Sequence, residues 1–210
     1  MDASDTGVCA LEPQLQQFIR VEFSDAERAR FSTSKTGNSI NVRELMSAVL
    51  AVVHWGRSWA PTGRDRIHVC VHIDNTSAVT WLAKRSSRHP TARMYNRLIS
   101  LAEFKYSLAC SAQHIAGELK TMADSDSRAW NADHPLYNTW TNLSQSWTQV
   151  KIQPPSDNLW NTWEKCFAGE LSQTLPVERI LPTGSNGVNS RRNWAGLHSS
   201  LSPVDRAIRC

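Results

Sequence analysis

Two short β-rich runs open the chain, Val8 to Leu11 and Phe18 to Phe23, parted by the turn at Glu12-Pro13. So short a spacing predicts a pair of antiparallel strands. Behind Asn41-Val-Arg-Glu44, where an N-cap asparagine stands three residues before a glutamate, Leu45, Ala48, Val49, Val52 and Val53 recur at helical spacing. This is the signature of a helix over residues 41 to 59. The run Arg66 to Asp74 then alternates Ile67, Val69, Val71 and Ile73 with mostly polar residues, which predicts a strand ending at Asp74.

Asn75 and Thr76 are placed to cap a following helix that runs to Leu82, and Pro90 suits the first turn of another carrying Met94, Leu98 and Leu101. Between them Lys84 to Arg93 forms a basic loop. Ser107 to Ile115 is again strand-like, and Leu119 to Trp130 reads as a last helix. Strands first, then helix, strand, helices, strand and helix is an α+β or α/β order in which the later strands pair in parallel through crossovers. One domain over residues 1–132 accounts for it.

The pattern changes beyond that point. Leu136, Trp140, Leu143 and Trp147 form one helical stripe, and Leu159, Trp160, Trp163 and Phe167 a second, joined across Pro154-Pro155. They predict a helical connector over residues 133–173. From Thr174 to Cys210, Ser, Gly, Asn and Pro dominate without periodicity, the composition of a flexible, disordered tail.

Composition narrows the class without choosing a function. A hydrophobic fraction of 40% and a charged fraction of 20% are those of a globular protein. The longest apolar run, Leu45 to Trp55, is too short to span a bilayer, so no membrane is expected. The first residues lack a basic n-region and an apolar h-region, which leads us to expect an intracellular protein, cytoplasmic or nuclear and not secreted. Five scattered cysteines without a C-x-x-C pair point away from both a disulfide framework and a zinc site. A net charge of +4 is compatible with a polyanionic partner.

Chemistry enters with four carboxylates that fall where strands end or helices begin: Asp2, Glu44, Asp74 and Asp124. Packed as one sheet with its helices, the fold can bring these ends together. Phosphodiester hydrolysis needs an acidified water and a stabilised leaving oxygen, and two metal ions about 4 Å apart supply both. Carboxylates without His or Cys ligands suit Mg²⁺ or Mn²⁺. Each acid also has a plainer reading: a frayed terminus for Asp2, half of a capping box for Glu44, an N-cap for Asp74, a solvated helix residue for Asp124.

The segments Asp2-Ala-Ser-Asp-Thr-Gly7, Asn41-Val-Arg-Glu44-Leu, Ile73-Asp74-Asn75-Thr-Ser-Ala78-Val, His114-Ile-Ala-Gly117 and Ala123-Asp124-Ser-Asp-Ser127-Arg128 follow one another in the order seen in type 1 RNase H domains of retroelements. Over residues 1 to 130 the chain most resembles the domain downstream of reverse transcriptase in DIRS-like retrotransposons. The resemblance implies an RNase H-like fold with a five-stranded mixed sheet and helices on both faces, its first strand truncated. It also implies endonucleolytic hydrolysis of the RNA strand of RNA·DNA hybrids with two Mg²⁺ or Mn²⁺ ions, leaving a 3′-hydroxyl and a 5′-phosphate. Asp2, Glu44, Asp74 and Asp124 correspond to that family's metal ligands, and His114 to its mobile catalytic histidine, which serves proton transfer or product release.

Asn75 matches a residue that reaches the hybrid's minor groove, where 2′-hydroxyls mark RNA, while Lys84, Arg85, Arg88 and Arg93 are candidates for phosphate contacts. A helix cap and a solvated basic loop are the alternatives. The partners expected are thus the hybrid and an upstream reverse transcriptase segment of a polyprotein. Three departures stand out: only Met1 precedes Asp2, Lys120 replaces the family's usual asparagine, and Asp126 replaces an apolar anchor of the last helix. They keep a second possibility open, a degenerate non-catalytic nucleic-acid-binding or structural connection domain.

Overall fold

A computed structural model describes residues 1–33, 39–152 and Leu159. The elements run β1 (Asp2–Ala3), β2 (Gly7–Glu12), β3 (Gln17–Glu22), α1 (Asp25–Thr33), α2 (Ile40–Trp59), β4 (Ile67–Ile73), α3 (Thr76–Lys84), α4 (Pro90–Tyr106), β5 (Leu108–His114), a 3-10 turn (Gly117–Lys120), α5 (Thr121–Arg128), α6 (Tyr137–Ser144) and β6 (Thr148–Val150).

This is a mixed α/β fold, with the strands divided between two sheets. Instead of the single five-stranded sheet expected, β1, β2, β3 and β6 form one sheet and β4 and β5 another. The first sheet is itself mixed, because β1-β2 and β2-β3 are antiparallel whereas β3-β6 is parallel. β4 and β5 pair in parallel from Ile67↔Leu108 to Ile73↔His114, as their α3-α4 crossover requires. β1 is only two residues long and does not ladder onto β4. The Met1 amine bonds the His72 carbonyl of β4 across that seam at 3.0 Å. Beside it, a cavity of about 310 Å³ is lined by Met1, Leu11, Trp59, Val69, Val71 and Met122.

Alternation along β2 explains why both its faces are covered. Val8 and Ala10 join Ile19 and Val21 of β3 in the main core against α2, while Leu11 and Phe18 turn to the opposite face with Ala129 and Trp140. α2 is the central helix, with Leu45, Met46, Val49, Leu50, Val52 and Val53 buried. Each such side chain contributes on the order of 1.5–3 kcal/mol by leaving water. Its close approach to α4 depends on Gly56, where a Cβ would stand 2.6 Å from the Tyr106 ring.

Four of the boundaries follow from their caps. Asn75 accepts from Ala78 N at 3.0 Å and starts α3, Pro90 opens α4, and Arg85 and Ser107 close these helices in the left-handed region at φ 50° and 54°. The start of α2 differs from expectation: the N-cap is Ser39, and Asn41 lies inside the helix. α1 and β6 add to the expected set, while α6 falls within the helical connector expected over residues 133–173. Trp140 of α6 is buried edge-on against Phe18, with ring centroids 4.8 Å apart, so the first of the two Trp stripes packs on the sheet. Leu159 is also fully buried, but the rest of the second stripe and the expected tail lie outside the described residues. No helix among the described residues is long and apolar enough to cross a membrane.

Candidate metal centre

Three backbone positions far apart in sequence bring three carboxylates to one point. Asp2 is carried by β1, Glu44 by the first turns of α2, and Asp74 by the residue that follows β4. One oxygen from each lies within 4.8 Å of the others, a group able to hold a metal ion. Asp2 and Glu44 are buried and Asp74 is partly exposed, at the wall of an open cleft of about 500 Å³ shared with Ser4, Asn75 and Arg128.

Glu44 is not half of a capping box. Its Oε1 accepts from Ala3 N at 3.2 Å, which ties α2 to β1, and its buried Oε2 has no hydrogen-bond partner. Burial together with the charges of Asp2 and Asp74 pushes this carboxyl up to about 8 against the pull of Lys120. Asp2 is raised as well, by burial, although Lys120 and Ser127 oppose the shift. Both of its oxygens are engaged, Oδ1 by Lys120 Nζ and Oδ2 by Ser127 Oγ.

Lys120 enters the centre at the end of the 3-10 turn. Its ammonium pairs with Asp2 and lies 2.5 Å from Asp74 Oδ2, with only 5% of the side chain exposed. Burial pulls against its proton, but the Asp2 charge and bonds outweigh burial and raise its pKa. Lys120 also holds Asp74 below its ordinary value even though partial burial works upward. The sequence marked Lys120 as a departure but gave no reason to put its ammonium among the acids; its place six residues after His114 was the available signal.

Asp124, the fourth acid expected here, stands apart from the group of three. Its Oδ1 takes Arg128 Nε at 2.8 Å, yet it is near enough for its charge to add to the upward push on Asp2. His114, at the end of β5, is exposed, and its Nε2 lies 3.0 Å from the backbone oxygen of Asp74. The histidine therefore borders the centre through the main chain. Asn75 is spent on structure: besides capping α3, its Nδ2 donates to Asn41 Oδ1 at 2.8 Å.

The four basic candidates divide. Lys84, Arg88 and Arg93 are exposed, whereas Arg85 folds back to Glu103 at 2.7 Å and to the Cys110 carbonyl at 2.8 Å. Compared with family models, with curated proteins and with solved structures, the chain matches none.

The donor set is all hard oxygen, as Mg²⁺ or Mn²⁺ prefers, and Glu44, one of the three acids, keeps a buried oxygen, Oε2, without a hydrogen-bond partner. On these grounds the residues fit a divalent ion, with Lys120 as a resident competing charge.

Proposed function

We propose that this chain is an RNase H-like nuclease domain of the retroelement type that hydrolyses the RNA strand of RNA·DNA hybrids. The observation that carries this reading is the convergence of Asp2, Glu44 and Asp74 from β1, α2 and β4 at the edge of an open cleft. The order of strands and helices supports it, and so does the Met1–His72 bond, which joins the start of β1 to β4.

When bound, two Mg²⁺ or Mn²⁺ ions would acidify the attacking water and stabilise the departing 3′ oxygen, leaving a 3′-hydroxyl and a 5′-phosphate. Asp2, Glu44 and Asp74 would hold metal, with Asp124 joining them once it leaves Arg128. His114, free to swing from the Asp74 carbonyl, would shuttle a proton or help the product leave. Lys84, Arg88 and Arg93 would pair with phosphates and make binding fall with salt. Asn75 would reach a 2′-hydroxyl only by giving up Asn41 or its cap. The setting is intracellular, cytoplasmic or nuclear, alongside an upstream reverse transcriptase segment.

A second reading has an observation of its own. Lys120 already neutralises part of the cluster, as expected of a remnant that binds hybrid or connects domains without turnover. Incubation of a labelled RNA·DNA hybrid with Mg²⁺ separates the two. Cleavage by the chain that disappears in Asp74→Asn supports the nuclease; hybrid binding indifferent to Mg²⁺, with no cleavage, leaves the remnant.

A further inference from the structure

The buried ammonium of Lys120 meets two of the three carboxylates that converge at the cleft, Asp2 and Asp74, and leaves the third short. Glu44 Oε2, in a side chain almost wholly removed from solvent, has no hydrogen-bond partner, and a carboxylate oxygen of Glu44 lies within 4.8 Å of oxygens of Asp2 and Asp74. A lysine head carries one charge and three donors on a single nitrogen. A divalent ion carries twice the charge and takes oxygens from several directions at about 2.1 Å for Mg²⁺. Lys120 Nζ is 2.5 Å from Asp74 Oδ2 and also bonds Asp2 Oδ1, so a cation at ligand distance from the same two oxygens would overlap it. The centre accepts one or the other.

We propose that Lys120 is a built-in competitor for the metal: its ammonium holds Asp2 and Asp74 together in the metal-free protein, and a divalent ion enters only as Lys120 withdraws from both. This inference rests on the metal-centre reading above and adds a consequence to it. The protein keeps its acids assembled without metal, and its affinity for metal is lower than three convergent carboxylates would otherwise confer.

The test is calorimetric titration of the full chain with MnCl₂, beside Lys120→Met, Lys120→Arg and Asp74→Asn. Removal of the competing charge in Lys120→Met is expected to tighten Mn²⁺ binding by about tenfold or more, while Lys120→Arg, which keeps the charge, stays at least as weak as the parent. Asp74→Asn loses binding. Equal affinity in the parent and Lys120→Met, with Asp74→Asn still defective, would overturn the competition and spare the metal centre. No Mn²⁺ binding by the parent or by Lys120→Met would instead remove the metal centre itself. A second measurement avoids mutation: the Lys120 ammonium proton signal in ¹⁵N-edited NMR should be slowed in exchange without metal and vanish as Mg²⁺ is added. A signal still protected at saturating Mg²⁺ overturns the proposal.

Discussion

Arg20 Nε lies 2.8 Å from Asp126 Oδ1 in a part of the molecule where Asp126 is completely buried. Arg20 also donates to the backbone oxygens of Asp126 and Ala129, and its guanidinium rests between the rings of Trp130 and Trp140, at 4.1 and 4.8 Å. The buried acid of α5 is thus accommodated by an arginine reaching across from β3. The accommodation is incomplete: neither carboxylate oxygen makes a hydrogen bond of good geometry, and burial pushes Asp126 up to about 8 despite the neighbouring Cys9 thiol and the Arg20 charge.

That shift fixes a pH dependence. Folding raises the Asp126 pKa from 3.8 to about 8, so the folded state binds more protons than the unfolded chain between those values. Its contribution is therefore fully present below about pH 4 and is lost as pH rises through 8, by up to ~1.4 kcal/mol per unit within the window. Asp126→Asn lacks this slope. Thermal melts of both proteins from pH 5 to 8 should show the variant gaining on the parent as pH rises. A parent that gains on the variant instead would mean that Arg20 holds the carboxylate ionised.

A second expectation concerns the turn between β1 and β2. Ser4 Oγ accepts from Gly7 N at 3.1 Å and donates to Ser127 O at 2.7 Å, which joins the turn to α5. A Cβ on Gly7 would stand 2.3 Å from Trp130 Cζ2 and 2.5 Å from the Val21 oxygen. Backbone cannot yield as a side chain can, so Gly7→Ala should cost about 1–3 kcal/mol or more in urea unfolding. Because the same turn positions Asp2, metal affinity should fall with it.

Much of this architecture is legible from the pattern of the chain. Period-two alternation located β4, helical spacing located α2 within a residue or two, and Pro90 marked the start of α4. α1 was missed because its short, mostly polar stretch lacks an apolar stripe, yet a signal was there: Ser24 and Glu27 form a reciprocal capping box, Ser24 N to Glu27 Oε2 at 2.8 Å and Glu27 N to Ser24 Oγ at 3.3 Å. The similar spacing at Asn41 and Glu44 is not a cap, because Glu44 turns inward to Ala3. β6 exists through its pairing with β3, which a three-residue stretch cannot announce. At the site, the acids could be read from their places at element ends. The Lys120 contacts could not, since they depend on how a 3-10 turn aims one long side chain.

The basic loop offers a third test, in which geometry divides residues that composition groups together. Arg85 Nη2 binds Glu103, whose Oε1 also accepts from Cys110 N at 2.7 Å, so Arg85 braces α3 and α4 against β5. Arg85→Ala should lower stability by about 1–3 kcal/mol. Arg88→Ala and Arg93→Ala should leave the melting temperature in place and instead weaken hybrid binding, each flattening its dependence on salt by about one unit of log-log slope. Unchanged binding in both exposed variants would remove the loop from the nucleic-acid interface.

The number of ions the centre accepts turns on Asp124. Asp2, Glu44 and Asp74 suffice for one, but a second needs another carboxylate, and Asp124 is paired with Arg128 at 2.8 Å. That pair is a half-exposed i, i+4 contact on α5, worth only about 0.3–0.5 kcal/mol. An arriving divalent ion can displace it far more readily than it can displace buried Lys120. Mn²⁺ titration should therefore find that Arg128→Gln changes affinity by about twofold or less, and that Asp124→Asn keeps the first ion while abolishing the second. Cleavage in Asp124→Asn should drop with the second ion. If two ions remain without Asp124, the second is held by other ligands, and Asp124 serves only to hold Arg128 at the edge of the cleft.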